Sequence, residues 1–318
     1  MIETTGLRKS YQSGNGRQAT TVDAVTGLDL SVAAGQIYGF LGPNGAGKTT
    51  TLRMLATLIR PGGGEATVAG ADLRRDPAGV RRRIGYVAQG GGTTDTVSGR
   101  EELVHQARLH GLGKAEAVRR AERAVAAFEL GEFADRHCRT YSGGQRRRVD
   151  IALGVIHSPA VLFLDEPTVG LDPAARAQVW EEIRRLRGEG MTVFVTTHYL
   201  DEADALCDRI GIIDHGGIVA EGTPEELKQE ISGDVVLVGL TDADLVQKAA
   251  GALRGEPGLH RVETPEDGGL RLYVRDGASA IPHLLRTLDG AGVVPATVQL
   301  QRPSLDDVFL ARTGRSLA

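Results

Sequence analysis

The chain has 318 residues, enough for one large domain and a smaller one. A formal net charge of −4 and a pI near 6.1 exclude the basic footprint of a nucleic-acid binder. Cys138 and Cys207 stand in no metal or redox spacing and read as ordinary thiols, while the uncharged stretch Ile151 to Leu164 is interrupted by His157 and Pro159 and is too short to span a bilayer.

The polar opening Glu3-Thr4-Thr5 does not read as a secretory signal, so the expected place is the cytosol, or a membrane reached through another protein. Residues 1–41 alternate short apolar runs with glycine, as in a small antiparallel sheet, and Ser13 to Arg17 reads as a turn-rich insert. Tyr11 before it fits either a half-buried strand residue or a ring stacked on a base, because aromatic stacking has no spacing signature.

Ile37 to Leu41 is a short apolar run, predicted as a buried strand. The stretch Gly42-Pro43-Asn44-Gly45-Ala46-Gly47-Lys48-Thr49-Thr50 follows and fits the phosphate-loop pattern G-x-x-x-x-G-K-[ST]. Glycines let backbone N–H groups turn onto a phosphate chain without a Cβ in the way. Lys48 would reach the β- and γ-phosphates, and the Thr49 hydroxyl would ligate Mg²⁺. Leu52, Leu55, Leu58 and Ile59 recur at helical spacing, which completes the strand, loop, helix order that the pattern needs.

Residues 60–83 read as a polar hairpin ending in a helix with Arg81, Arg82 and Arg83 on a solvated face. Ile84 to Val87 is the next predicted strand, with Gln89 just beyond it and Gly90, Gly91 and Gly92 forming a flexible hinge. From Gly99 to Leu130 the pattern is helical, with Ala117, Ala121, Val125 and Phe128 on one face. Tyr141-Ser142-Gly143-Gly144-Gln145 then opens a helix burying Val149, Ala152, Val155 and Ile156. Ser142 is a good N-cap, and the two glycines leave N–H groups open at a positive helix end, a second anion site. Arg146, Arg147 and Arg148 read as a solvated helix face rather than a binding patch.

Val161 to Leu164 is apolar throughout, as a strand buried on both faces should be, and ends in Asp165-Glu166. Two carboxylates there are costly unless a metal, a water or a base role uses them: Asp165 to hold Mg²⁺, Glu166 to polarise water. Gly170 to Pro173 turns into a helix with Trp180, Ile183 and Leu186 inward; Thr192 to Thr196 is a strand, and His198 stands past its end. The phosphate loop, Gln89, Asp165-Glu166 and His198 thus each follow a predicted buried strand, the edge of an open parallel sheet where ligands bind.

Composition shifts between Glu226 and Gly233. Beyond it the pattern predicts strand 235–240, helix 242–254, strands near 259–264 and 270–274, helix 277–289 and strand 293–301, the order of a ferredoxin-like domain. Ser304 and Asp307 form a capping box for a last helix with Val308, Phe309 and Leu310.

With these residues assembled, residues 1–230 resemble the ATP-binding cassette of ABC transporters. Gly42–Thr50 corresponds to the Walker A loop, Gln89 to the Q-loop glutamine, Tyr141–Gln145 to the signature, Val161–Glu166 to Walker B, Gly170-Leu171-Asp172 to the D-loop and His198 to the switch histidine. The stretch Gln89 to Asp95, the ending Pro303 to Phe309 and the appended domain 231–318 are similar to the daunorubicin-type drug-resistance ATPases. Tyr141 departs from the leucine common in the wider family, and Val169 stands where a small polar residue is common.

The resemblance implies an α/β fold: a P-loop NTPase cassette with RecA-like core, antiparallel β subdomain and α-helical signature subdomain, plus a small C-terminal α+β ferredoxin-like domain. It implies an ATPase using Mg²⁺ held by Thr49, Gln89 and Asp165. Lys48, Gln89, Glu166 as base and His198 would carry hydrolysis. ATP would lie on Tyr11 and Gly42 to Thr50, meeting Ser142, Gly143, Gly144, Gln145 and Asp172 across a head-to-tail dimer. A separate integral-membrane permease would dock the pair on the cytoplasmic face of the membrane and export a drug or other hydrophobic compound. Lipid or polysaccharide export and a non-transport ATPase are the alternatives; the latter types carry two cassettes or long coiled coils, neither evident here, and no nucleic-acid partner is expected.

Overall fold

The computed structural model describes residues 1–13, 20–231, 233–240, 242–265, 269–301 and 303–315, in two compact units that divide at Thr223 and Pro224. Most of the insert expected at Ser13 to Arg17 lies outside the described residues.

In the first unit β1 (Ile2–Ser13) and β2 (Thr20–Val32) form a long antiparallel pair, after which β3 (Ile37–Leu41) enters the core. α1 (Lys48–Leu55) follows, then β4 (Gly63–Val68), β5 (Ala71–Asp72), α2 (Pro77–Arg83) and β6 (Ile84–Val87). A sheet in the order β2-β1-β4-β5 carries the alternating side of this region, with Ile2, Leu7, Val25, Leu28 and Val68 turned into one core.

The stretch predicted as helical from 99 to 130 is divided into α3 (Gly99–Leu109) and α4 (Lys114–Ala127). Gly111, at φ 85°, takes the left-handed turn between them, a conformation that glycine adopts without a Cβ penalty. α5 (Gly143–Val155), β7 (Val161–Asp165), α6 (Pro173–Gly188), β8 (Thr192–Thr197), α7 (Leu200–Leu206), β9 (Arg209–Asp214) and β10 (Gly217–Gly222) complete the unit.

The second sheet has the order β10-β9-β3-β8-β7-β6, parallel from β9 to β6. Strands β3, β7 and β8 are buried at every position, as their unbroken apolar runs require. Phe194 anchors the middle, its ring centroid 5.5 Å from those of Tyr38 and Phe40 and 5.8 Å from that of Phe163. Register fixes the site: Leu41 pairs with Thr197 and Asp165 with Thr196, while Val87 pairs with Leu164. The chain therefore leaves β3, β8, β7 and β6 along one sheet edge, bringing the phosphate loop, His198, Asp165-Glu166 and Gln89 to neighbouring places.

The second unit begins with α8 (Pro224–Ile231) and continues through β11 (Val235–Gly239), α9 (Ala243–Ala252), β12 (Leu259–Glu263), β13 (Leu270–Val274), α10 (Gly277–Gly290) and β14 (Thr297–Gln301) to α11 (Leu305–Thr313). Its sheet order is β12-β13-β11-β14, antiparallel throughout, the ferredoxin-like arrangement. Alternation decides the faces: Val236, Val238, Leu270, Leu272 and Val274 are buried with Leu284 and Leu288 of α10. The last strand is shorter than the 293–301 predicted, because Ala291 to Val293 close the turn after α10 and bury Val293. Ser304 and Asp307 form the expected capping box on α11, and Arg312 bonds Glu230 of α8 at 2.6 Å.

Candidate functional site

The loop between β3 and α1 is shaped by close packing as much as by flexibility. A Cβ on Gly42 would stand 2.3 Å from Ile213 O, and Gly47 (φ 108°) has Ala24 O at 2.4 Å from the same point. Neither position admits a larger residue. Lys48 is folded back under the loop, its ammonium donating to Gly42 O at 2.7 Å and Pro43 O at 3.1 Å, and lying 3.3 Å from Glu166 Oε1. Burial lowers its pKa, and the Glu166 charge opposes that shift.

Asp165 and Glu166 are 2% and 6% exposed, a placement that requires partners. Asp165 Oδ1 accepts from the Thr49 hydroxyl at 3.1 Å and from the Thr196 hydroxyl at 2.8 Å. Thr196 also accepts from Glu166 N–H at 3.0 Å, so one hydroxyl orients both acids. Glu166 holds φ 45°, left-handed backbone that costs a non-glycine residue about 1–3 kcal/mol and marks functional sites. Gln89 Nε2 donates to Glu166 Oε2 at 2.9 Å, and His198 Nδ1 lies 3.3 Å from Glu166 Oε1. The latter contact is proximity rather than a hydrogen bond, since Nδ1 is buried without a bonded partner.

Lys48, Gln89 and His198 thus surround one carboxylate, with Thr49 and Asp165 beside it. Asn44, Gly45, Thr50 and Ala24 help to line the adjoining cleft. The donor set suits Mg²⁺, which takes hard oxygen ligands: a carboxylate and a hydroxyl already in hydrogen-bond contact, with the Gln89 amide beside them. Tyr11 is 42% exposed on β1 under the Lys9 ammonium, 5.3 Å from its ring, and is not among the residues lining this cleft.

The signature stretch is also absent from that cleft. Ser142 caps α5 in a full capping box, with its hydroxyl accepting from Gln145 N–H at 3.2 Å and Gln145 Oε1 from Ser142 N–H at 3.0 Å. Gly143 and Gly144 have a reason beyond open N–H groups. A Cβ on Gly143 would come to 3.3 Å of Leu171 Cδ2 and one on Gly144 to 2.9 Å of Ala175 Cβ, so the glycines let α5 meet the start of α6. Asp172 caps α6 through Ala175 N–H at 2.9 Å. Tyr141, the departure from leucine, accepts from Gly99 N–H at 3.0 Å and donates to carbonyls of the 133–136 loop.

Two sequence readings are corrected here. Arg147 is not on a solvated face: it is 6% exposed and donates to Ala88 O at 2.8 Å and Asp165 O at 3.2 Å. The glycines after Gln89 are tied rather than loose, because buried Asp150 accepts from Gly92 N–H at 2.9 Å and Thr93 N–H at 3.2 Å. Burial pushes the Asp150 carboxyl up and Arg147 down, each opposed in part by the other's charge. Arg147, Asp150 and Thr196 were missed. The signal for Asp150 was present: a carboxylate beside Val149 and Ile151, on a helix buried over most of its length.

Comparison with known proteins bears on the whole chain. Residues 25–169 match the family described as ABC transporter, and residues 222–313 match the ATP-binding protein DrrA1-3-like C-terminal domain. The daunorubicin/doxorubicin resistance ATP-binding protein DrrA of Streptomyces peucetius is 48% identical over 316 residues, 98% of this chain and 92% of that protein. The doxorubicin resistance ATP-binding protein DrrA of Mycobacterium tuberculosis is 43% identical over 97% of this chain and 92% of its own length. The Nod factor export ATP-binding protein I of Ralstonia nicotianae is 39% identical over the full chain and 95% of its own length. Among solved structures, the dimeric ATP-binding cassette MJ0796, in a post-hydrolysis state with ADP and Pi, superposes with a TM-score of 0.63 at 25% identity, covering 70% of this chain and 98% of that one.

Proposed function

The chain belongs to the ATP-binding proteins of ABC transporters, with the C-terminal domain of the DrrA group, and from that premise we propose that it powers export of a drug or other hydrophobic compound through a separate permease. ATP hydrolysis is the activity of the family. One observation carries the site assignment: Lys48, Gln89 and His198 converge on Glu166 at the carboxyl edge of the parallel sheet.

In this reading Lys48 and the N–H groups of Gly45 to Thr50 bind the phosphates, aided by the positive end of α1. Thr49 and Asp165, with Gln89, would hold Mg²⁺, which supplies positive charge to the phosphate oxygens. Glu166 accepts the proton of the attacking water, and Thr196 keeps that carboxylate aimed by holding its backbone N–H. His198 and Gln89 touch the same carboxylate and so report on what occupies the γ-phosphate position. Tyr11 offers its exposed face to adenine. Ser142, Gly143, Gly144, Gln145 and Asp172 act on the nucleotide of a second copy; their absence from the cleft around Lys48 supports a composite site. The C-terminal unit, which begins at Pro224 and so a little earlier than the boundary near 230 read from the sequence, would stabilise the dimer and its membrane partner.

Among the described residues no helix is long and apolar enough to cross a membrane. The permease would be a separate chain and would hold the pair on the cytoplasmic face. Relatives named for resistance to daunorubicin and linearmycin and for Nod factor export support export as the direction and leave the cargo broad. Purification from membranes tests the assignment: the chain is expected with an integral multi-helix subunit, and a deletion strain is expected to become drug-sensitive. Recovery with ribosomes or DNA and no membrane subunit would overturn it.

A further inference from the structure

The helix that begins with the signature is fastened to the glutamine loop by side chains that the hydrolytic scheme does not use. Asp150 Oδ1 accepts two consecutive backbone N–H groups, from Gly92 and Thr93. The fit excludes a side chain at Gly91: at φ 76°, a Cβ there would lie 2.5 Å from Asp150 Oδ2. Earlier on the same helix Arg147 binds Ala88 O and Asp165 O, and Arg146 Nε donates to Thr93 Oγ1 at 2.9 Å while pairing with Asp95. The loop is therefore held on both sides of Gln89, by Arg147 before it and by Asp150 and Arg146 after it.

We propose that Asp150 is a positioning residue that makes the signature helix and the glutamine loop one moving part, so that engagement of Ser142 by a second copy's nucleotide resets Gln89. Eight residues of helix separate Ser142 from Asp150, about 12 Å of stiff rod. A displacement at the capped end is delivered to the Gly92 and Thr93 amides without passing through loop backbone. Gln89 lies three residues before Gly92 and touches Glu166, so the same movement changes contact with the hydrolytic base. A buried carboxylate holding two amides is a firm grip, because charge-assisted hydrogen bonds are the strong ones. The inference rests on the composite-site reading above.

Hydrogen–deuterium exchange of the full chain, with and without ATP and Mg²⁺, tests it, followed by peptides covering 90–95 and 142–156. In the wild type both segments are expected to change protection together. In Asp150→Ala the 142–156 response persists, while the 90–95 response falls at least about 3-fold, with ATP affinity within about 2-fold because the phosphate loop is untouched. Asp150→Ser, too short to reach both amides, gives the same result if the alanine variant does not fold, and Asp150→Asn, which keeps the acceptor oxygen, restores at least about half the response. A joint response retained in the alanine or serine variant would overturn the proposal, as would an asparagine variant as uncoupled as alanine. A wild type in which 142–156 never responds to ATP would remove the composite-site reading and this inference with it.

Discussion

The Lys48 ammonium lies 3.3 Å from Glu166 Oε1, with both side chains buried. The proposed phosphate-binding cation and the proposed general base are thus in direct contact, so the charge on one bears on the other. Replacing Glu166 by Gln keeps the shape and the Gln89 contact but removes the base. E166Q is expected to bind ATP and to dimerise, with hydrolysis reduced at least about 100-fold, the scale of a positioned base. Steady-state turnover alongside nucleotide-binding measurements checks it; near-normal turnover would remove Glu166 from that role.

Thr196 is the less obvious member of the site. Its hydroxyl donates to Asp165 and accepts from Glu166 N–H. Thr196→Val preserves volume and strand propensity while taking one donor from buried Asp165, which keeps only the Thr49 hydroxyl, and leaving Glu166 N–H on the Thr196 carbonyl alone, at 3.1 Å. The expected cost is about 1–3 kcal/mol of stability. Turnover should fall about 10-fold or more with ATP affinity changed little, since Lys48 and its loop are undisturbed. A variant unchanged in kcat would show that the two acids are aimed by other contacts.

How much of this site was legible follows from what each residue's signal depends on. Gln89, Asp165, Glu166 and His198 could be placed because each follows an apolar strand, and parallel pairing brings strand ends to one edge. Arg147 and Asp150 could not be paired with the glutamine loop. Their partners are backbone N–H and carbonyl groups some 55–60 residues away, and backbone groups leave no mark in a sequence. Charge runs usually face solvent, and that expectation hid a buried arginine. Thr196 was invisible for a related reason: threonine suits any strand, and only the register against Asp165 gives its hydroxyl work. In the second unit alternation was enough for the topology, and the error fell at the turn before β14.

His157 ties acid sensitivity to the junction between α5 and β7. Its ring stacks on His110 at 3.6 Å with planes 4° apart, and Nε2 lies 2.9 Å from Ile84 O. Burial, then the neighbouring His110, pushes its pKa down from 6.5 to about 4. Between those values the unfolded chain takes up a proton that the folded chain refuses, so stability falls as pH drops from 6.5 toward 4. The expected loss is about 1–2 kcal/mol, below the full linkage value because the ring is partly solvated. Denaturant midpoints at pH 7.5 and 5 should differ less in His157→Gln than in the wild type. An equal pH response in both would place the sensitivity elsewhere.

The C-terminal unit has its own core, so it can be removed with a defined expectation. Deletion of residues 224–318 should impair assembly with the membrane partner and dimer formation, while monomeric ATP binding persists. Sizing and membrane co-purification should be read separately from ATPase activity. Normal assembly with altered regulation of turnover would assign the unit to binding a small regulator.

Each ATP is expected to be hydrolysed between Lys48 and Glu166 of one copy and Ser142 of another. A mixed dimer with Ser142→Arg in one copy tests it, with each copy's own site reported separately by pairing the change with Glu166→Gln on the same or the opposite chain. Turnover is expected to survive when both substitutions affect the same composite site, on opposite chains, and to be lost when they fall on one chain and so disable both sites. Survival with both substitutions on one chain, and loss with them on opposite chains, would show each copy completing its own site and would contradict the head-to-tail arrangement.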